Sequence, residues 1–185
     1  MYRIPDFIDA QTCSMLNDWV DEGVSKKWLD EGINFGRTSY TKRVTSRLYA
    51  NRFNYPSVVK EVMDKIVDRL CLQDLGKSVV GGGRDGVVVS CTFVGGDVYK
   101  HTDPKEGLLE VLRCNILTRK PTIGGELYIG DEHIPLEVGE LHCYLPSTIE
   151  HHVSTVEEGA SRIMWMFGFQ CSQDRYQQIN GVLNG

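Results

Sequence analysis

The sequence lacks several signals that would place it in a special class of protein. Its six cysteines include no Cys-x-x-Cys pair, which argues against a zinc ribbon, and their spacing is not that of a disulfide scaffold. No apolar run approaches membrane-spanning length, the first residues lack the apolar stretch of a signal peptide, and no Asn-x-Ser/Thr sequon occurs. We therefore expect a cytoplasmic protein with reduced thiols and no membrane partner.

An excess of positive charge is also missing. The formal net charge is −5 at pH 7, which argues against binding nucleic acid through general electrostatics. One local basic cluster comprises Lys42, Arg43, Arg47 and Arg52, and its simplest interpretation is a solvated strand face. A nucleic-acid partner is therefore not expected.

The composition is that of one ordinary globular domain. The chain has 185 residues, of which 41% are hydrophobic and 24% charged, so it can bury a core. Apolar residues recur at helical spacing over residues 10–22 and 57–72, with a loop at 25–38 and a strand at 44–53. The segment at 25–41 and the basic strand at 42–52 together predict a lid and groove over a site.

From residue 87 onward the pattern changes to short strands separated by glycine turns. Strands are predicted at residues 87–94, 98–101, 111–117, 126–129, 140–145, 151–156 and 162–169. Such strands indicate a sandwich or barrel, with the N-terminal helices on one outer face. We predict a single α+β, mainly β domain over 1–185, with a helical support and lid region at 1–80 and a β core at 87–170.

His101 and Asp103 are candidate metal ligands. Residues two apart on an extended segment point to the same side, so both side chains can bind one ion. His151 or its neighbour His152 can supply a third ligand, and only one of them can face the metal because adjacent residues of a strand point apart. Two imidazoles and one carboxylate hold iron(II) on one face and leave three positions open.

Several motifs, in this order and spacing, resemble the iron(II)/2-oxoglutarate-dependent oxygenases, especially the prolyl-hydroxylase-like branch. They are Ile4-Pro5-Asp6-Phe7, Tyr99-Lys100-His101-Thr102-Asp103, Gly124-Gly125-Glu126-Leu127, Val138-Gly139-Glu140, Pro146-Ser147, His151-His152-Val153-Ser154-Thr155-Val156 and Gly159-Ala160-Ser161-Arg162. The family pattern His-x-Val-x-x-Val-x-x-Gly fits His151 as the distal ligand. The spacing to the following arginine that is common in this branch would instead fit His152, but a bulge near Gly159 can absorb the difference. We therefore predict His151 as the third ligand.

The resemblance implies a double-stranded β-helix (jelly-roll or cupin-like) core with two or more N-terminal helices packed on one face. It also implies Fe(2+), the co-substrate 2-oxoglutarate and O2. Arg162 would bind the distal carboxylate of the co-substrate. This arginine stands at the start of an apolar strand, where burying its charge is costly unless it has a partner. Tyr99, Asn115 and Arg113 are candidates for further polar contacts, while His133 and His142 are interpreted as structural.

The implied activity is hydroxylation of an unactivated C–H bond, with release of succinate and CO2. The favoured substrate is a prolyl or other amino-acid side chain in a peptide or protein. One alternative is hydroxylation of a free amino acid or another small molecule. A second alternative, from a different class, is a non-oxidative cupin-like protein that binds a metal or ligand and has no need for the Arg162 anchor.

Overall fold

The computed structural model describes residues 1–26, 42–48, 55–78, 86–105 and 107–184. These residues form three helices: α1 (Ala10–Ser25), α2 (Ser57–Leu70) and α3 (Gln173–Asn184). The twelve strands in the same ranges are β1 (Tyr2–Ile4), β2 (Arg43–Leu48), β3 (Val87–Thr92), β4 (Val98–His101), β5 (Glu110–Arg119), β6 (Ile123–Gly124), β7 (Leu127–Ile129), β8 (Glu132–Ile134), β9 (Leu141–Tyr144), β10 (His151–Val153), β11 (Val156–Glu158) and β12 (Arg162–Cys171). None of the described helices is long and apolar enough to cross a membrane.

Two antiparallel sheets form the body of the protein. The larger has the order β1-β9-β5-β12-β3-β2, the smaller has the order β4-β10-β7-β8, and β6 pairs with β11 in a separate two-stranded ribbon. This mainly β, antiparallel arrangement is consistent with the predicted jelly-roll-like core. Neighbours in the larger sheet are far apart in sequence, so its register is set by long-range pairing.

The helices cover the outer face of the larger sheet. Their apolar residues are spaced at helical intervals and face the sheet, for example Leu16 of α1 and Ile66 of α2. Both belong to one buried cluster with Ile116 of β5 and Trp165 of β12. Asp9 caps α1 by accepting a 2.7 Å hydrogen bond from the amide of Thr12.

The opposite face of the same sheet forms the interior between the two sheets. Along β12, Ile163, Trp165 and Phe167 belong to the cluster under the helices. Met164 alternates with them and belongs to a second cluster, together with Leu127 of the smaller sheet. One strand therefore contributes to the core on one face and to the interior on the other.

The structure confirms the predicted strands of the β core, although β5 and β12 are longer than predicted and several others are shorter. It differs from the prediction at three further places. The strand predicted at 151–156 is two strands, because the amide of Ser154 bonds to the carbonyl of Glu126 and the chain then pairs with β6. α1 continues through the buried Gly23 to Ser25, beyond the predicted end at residue 22. α2 ends at Leu70 instead of residue 72, since Cys71 is left-handed with φ 53°.

Two further differences concern α3 and β2. α3 was not predicted, because its sequence is mostly polar and shows only a weak apolar stripe. β2 begins at Arg43 and is described as far as Leu48, so the remainder of the strand predicted at 44–53 lies outside the described residues. Most of the predicted lid loop, residues 27–41, also lies outside them.

Replacing Leu16 with alanine tests the packing of α1 on the sheet. Leu16 is fully buried, so L16A should lower the free energy of unfolding by about 2–5 kcal/mol in urea denaturation. The matched control is M15A on the same helix, where the side chain is exposed and a change within about 0.5 kcal/mol is expected. Equal effects of the two substitutions would show that α1 does not pack in this orientation.

Candidate metal centre and anion pocket

The pairing of β4 with β10 brings the predicted ligands together. His101 ends β4 and lies directly opposite His151, the first residue of β10, so their ring centroids are 4.4 Å apart. Asp103 follows β4, and its Oδ1 lies 3.4 Å from Nε2 of His101 and 4.0 Å from Nε2 of His151. The candidate ligand atoms of all three residues lie within 4.8 Å of one another, a spacing that one metal ion can bridge.

Backbone carbonyls orient both imidazoles. Nδ1 of His101 lies 2.7 Å from the carbonyl of Tyr99, and Nδ1 of His151 lies 3.4 Å from the carbonyl of Ile149. A carbonyl only accepts hydrogen bonds, so Nδ1 carries the proton in each ring. Nε2 is therefore the atom of each ring that would bind a metal, as is usual for ligating histidines, and at His101 the metal would replace the proton that Nε2 donates to Asp103.

The electrostatics of Asp103 and His151 suit a metal at neutral pH, whereas His101 holds a proton more tightly. Burial raises the pKa of Asp103, but the His101 hydrogen bond and the charges of Arg113 and the two histidines outweigh it and lower that pKa to about 2. Burial, followed by the charge of His101, lowers the pKa of His151 to about 4. Burial lowers the pKa of His101, but hydrogen bonds to Asp103 and Tyr99 leave it raised overall. Asp103 is thus ionised and His151 neutral, as metal ligands require.

The neighbouring His152 points to the other side of β10. Its ring stacks on Tyr128 with centroids 4.7 Å apart and planes 6° apart, away from His101 and Asp103. This geometry matches the expectation that only one of the two adjacent histidines faces the metal ligands, and places His151 there. His133 also lies elsewhere, with Nε2 3.2 Å from the carboxylate of Glu126 at the exposed surface.

Arg113 holds the second oxygen of Asp103. Its Nε and Nη2 each lie 3.4 Å from Oδ2, so Oδ1 faces the histidines while Oδ2 faces the guanidinium. The amide of Asp103 donates a 3.0 Å hydrogen bond to the carbonyl of Pro146, which fixes the backbone. Arg113 is therefore a positioning residue for the carboxylate, a contact that the sequence pattern left undecided.

Arg162 lies at the start of β12 and is only 4% exposed. Its Nε donates a 2.9 Å hydrogen bond to the carbonyl of Gly125, and it forms no ion pair with any residue the structure describes. Burial, followed by the charge of Arg43, lowers the pKa of Arg162 to about 10, so it remains a cation at neutral pH. A side chain at Gly125 would come within 3.2 Å of Arg162 Cδ and 2.8 Å of Pro121, which explains a glycine there.

Polar side chains of β5 and β9 line the interior between Arg162 and the three ligands. Asn115 Nδ2 lies 3.3 Å from His142 Nε2, and the His142 and Tyr144 rings are stacked with centroids 6.1 Å apart. Burial and then the charge of Arg162 lower the pKa of His142 to about 3, so this ring is neutral. Burial and then the charge of Asp103 raise the pKa of Tyr144 above its usual range, so its hydroxyl keeps its proton.

This pocket contains buried polar atoms that need an occupant. Asn115 Oδ1 and His142 Nδ1 are buried without a hydrogen-bond partner in the described ranges. Leaving such atoms unpaired costs about 1–3 kcal/mol each, and a guanidinium without a carboxylate adds to that cost. A ligand with a carboxylate suits this set, because Arg162 forms no ion pair with a described residue and its guanidinium can bind that group.

The other two candidates for further polar contacts lie at different depths, and some residues that line the interior were missed. Tyr99 is 39% exposed, and its ring lies 5.0 Å from that of His101 at the rim. Asn115 lies deep in the interior. His142 was interpreted as structural, and Tyr144 was not singled out. Their signal was the alternation along β9, where Cys143 faces the core and its two neighbours face the same side as Asn115.

No protein-family profile and no curated protein matches the sequence. Solved structures do match. A viral collagen prolyl hydroxylase from Paramecium bursaria Chlorella virus-1, in a 2-oxoglutarate complex, is 12% identical with a TM-score of 0.62, over 93% of this chain and 96% of that one. A Pseudomonas putida prolyl-4-hydroxylase is 14% identical with a TM-score of 0.63, over 93% and 92%.

A third match is a prolyl hydroxylase from Trichoplax adhaerens, in complex with a peptide fragment of the hypoxia-inducible factor oxygen degradation domain. It is 11% identical with a TM-score of 0.65, over 96% of this chain and 86% of that one. At such low identity the likeness concerns the path of the backbone, and it extends over nearly the whole of each chain. The chain therefore has the fold of the prolyl-hydroxylase-like iron(II)/2-oxoglutarate oxygenases.

Proposed function

We propose that the protein is an iron(II)- and 2-oxoglutarate-dependent dioxygenase that hydroxylates an unactivated C–H bond. The observation that carries this proposal is the cluster formed by His101, Asp103 and His151, whose ligand atoms lie within 4.8 Å of one another in a prolyl-hydroxylase-like fold. Bound iron(II) and 2-oxoglutarate supply the oxidising chemistry, in which dioxygen is consumed and succinate and CO2 are released.

The three ligands would hold the metal on one face only. Two imidazoles and a carboxylate leave the opposite coordination positions open for other molecules. The Nδ1 contacts of His101 and His151 fix the direction of each ring, and Arg113 fixes the carboxylate of Asp103. These supporting contacts keep the site organised before the metal arrives.

Arg162 would bind the distal carboxylate of 2-oxoglutarate. Its guanidinium offers donors beyond the Nε used by Gly125, and a carboxylate matches the planar fork of arginine. The unpaired His142 Nδ1 carries a proton when Nε2 accepts from Asn115, so it is a further donor toward the co-substrate. Tyr144, which keeps its proton, is a second such donor. The apolar residues Leu117 and Met164 limit water between these groups.

The substrate that we propose is an amino-acid side chain, most simply prolyl, in a peptide or protein. The three matched structures are named as prolyl hydroxylases, and the Trichoplax enzyme is bound to a peptide fragment. The buried Arg162 favours this oxidative function over a cupin-like binding protein, which has no need for a carboxylate anchor in its interior.

Alanine substitution of the adjacent histidines of β10 tests the metal centre. With iron(II), 2-oxoglutarate and oxygen, the wild-type protein should form succinate. H151A should reduce this rate roughly 100-fold or more, because changes around the ligands alone cost about 10–100-fold. H152A is the matched control and should retain activity within a few-fold, since its ring stacks on Tyr128. Loss of activity in H152A alone, or no succinate from the wild type, would refute the assignment.

Substitution of Arg162 with lysine tests the co-substrate anchor. Lysine keeps the charge but loses the planar fork, so the Kd for 2-oxoglutarate should rise about 10-fold or more, measured by calorimetry with Mn(II) in the site. Metal affinity should stay unchanged. R119K is the control, since Arg119 is on the neighbouring strand and pairs with Asp21 at the surface. A weakened metal affinity in R162K, with unchanged 2-oxoglutarate binding, would contradict the role.

A further inference from the structure

A third arginine reaches into the site from the edge of the larger sheet. Arg43 of β2 pairs with Thr92 of β3, and Thr92 pairs on its other side with Arg162. Residues opposite one another in a sheet share a face, so both arginines face the interior, with their Cα atoms about 10 Å apart across three strands. The 2.6 Å hydrogen bond from Arg43 Nε to Oγ of the buried Ser90 shows that its side chain turns inward.

The position of Arg43 differs from that expected for a solvated basic strand. It is half-buried, and burial is the main influence on its pKa, which is lowered. This shift is opposed electrostatically by Asp103, Tyr99 and Asp97. The charge of Arg43 in turn lowers the pKa of Arg162. Within the described part of the chain Arg43 forms no ion pair, and its one hydrogen bond goes to the neutral Ser90. Two guanidiniums so placed are more stable with an anion near them.

The carboxylates proposed for the site do not pair with Arg43. Asp103 pairs with Arg113, and the distal carboxylate of 2-oxoglutarate is assigned to Arg162. Among the described residues, Arg43 is therefore left with Ser90 as its hydrogen-bond partner and with no carboxylate.

Arg43 lies nearer the rim of the site than Arg162. Arg43 is itself half-buried, whereas Arg162 is only 4% exposed. An anion at Arg43 would therefore approach from solvent. Because Arg43 and Arg162 lie on the same face of the sheet, two strands apart, that anion would share the interior with the co-substrate.

We propose that Arg43 binds a carboxylate of the substrate, so that the oxidised residue carries a free carboxylate close to the C–H bond that reacts. This inference rests on the proposed function and adds a requirement to its substrate. The carboxylate belongs either to the C-terminal residue of a peptide, which is within the proposed substrate class, or to a free amino acid, which is the alternative class. The chemistry at Arg43 is the same in both cases, and paired probes distinguish them.

The test measures binding of probes to the protein loaded with iron(II) and 2-oxoglutarate in the absence of oxygen. One arm uses the twenty L-amino acids and their carboxamides, and the other uses the N-acetylglycyl-L-amino acids and their carboxamides. Thermal shift identifies the probes that bind, and calorimetry gives their Kd. We expect at least one acid to bind, with its amide about 10-fold weaker or worse, because the amide cannot form a charge-assisted pair with Arg43.

Variants of Arg43 test whether this residue causes the preference for the acid over the amide. R43M should weaken binding of the acid about 10-fold or more and leave binding of the amide nearly unchanged, while R43K should recover part of the loss. The Kd for 2-oxoglutarate should change far less than the Kd for the acid. K42M, at the exposed neighbouring residue, is the control and should behave like the wild type.

Three results would overturn the inference. Equal binding of acids and amides, or no binding of any acid in either arm, would show that no substrate carboxylate is recognised. A rise in the Kd for 2-oxoglutarate in R43M, matching that of R162K, would assign Arg43 to the co-substrate. Failure of the metal-loaded wild-type protein to bind 2-oxoglutarate at all would refute the proposed function itself, and this inference with it.

Discussion

The site depends on the register between β4 and β10, which places His101 opposite His151. A shift of one residue would turn His151 away and bring His152 toward Asp103, because neighbouring residues of a strand face opposite sides. The segment before β10 fixes this register twice. The carbonyl of Pro146 accepts from the amide of Asp103, and the carbonyl of Ile149 lies against Nδ1 of His151. One short segment therefore positions two of the three ligands.

In the larger sheet, the same strands carry residues of the hydrophobic core and residues of the candidate site. On β12, Trp165 and Phe167 pack under the helices, while Arg162 and Met164 face the interior. Burial of apolar side chains on one face stabilises the strand. This stabilisation offsets the free energy that it costs to bury a guanidinium on the other face. The interior then acts on every group in it, since burial is the largest influence on the pKa of His142, His151 and Arg162.

Local patterns in the sequence predicted what depends on local geometry. The His101 and Asp103 pair follows from the alternation of an extended segment, and the strands from residue 87 onward follow from apolar runs between turns. The parts that depend on long-range pairing were not predicted. His142 and Tyr144 reach the site because β9 pairs with β5, and Arg43 reaches it because β2 pairs with β3. The polar sequence of α3 carries too weak an apolar stripe to indicate a helix.

The central claim is that His101, Asp103 and His151 hold one ferrous ion that also binds 2-oxoglutarate. The most direct measurement is the visible absorption spectrum under anaerobic conditions, as iron(II) and 2-oxoglutarate are added separately and together. A weak charge-transfer band should appear only when both are present, because it requires the metal and the keto acid to share one coordination sphere. The band should be lost in D103A. Absence of any band in the wild-type protein, with both components at saturating concentration, would contradict the account.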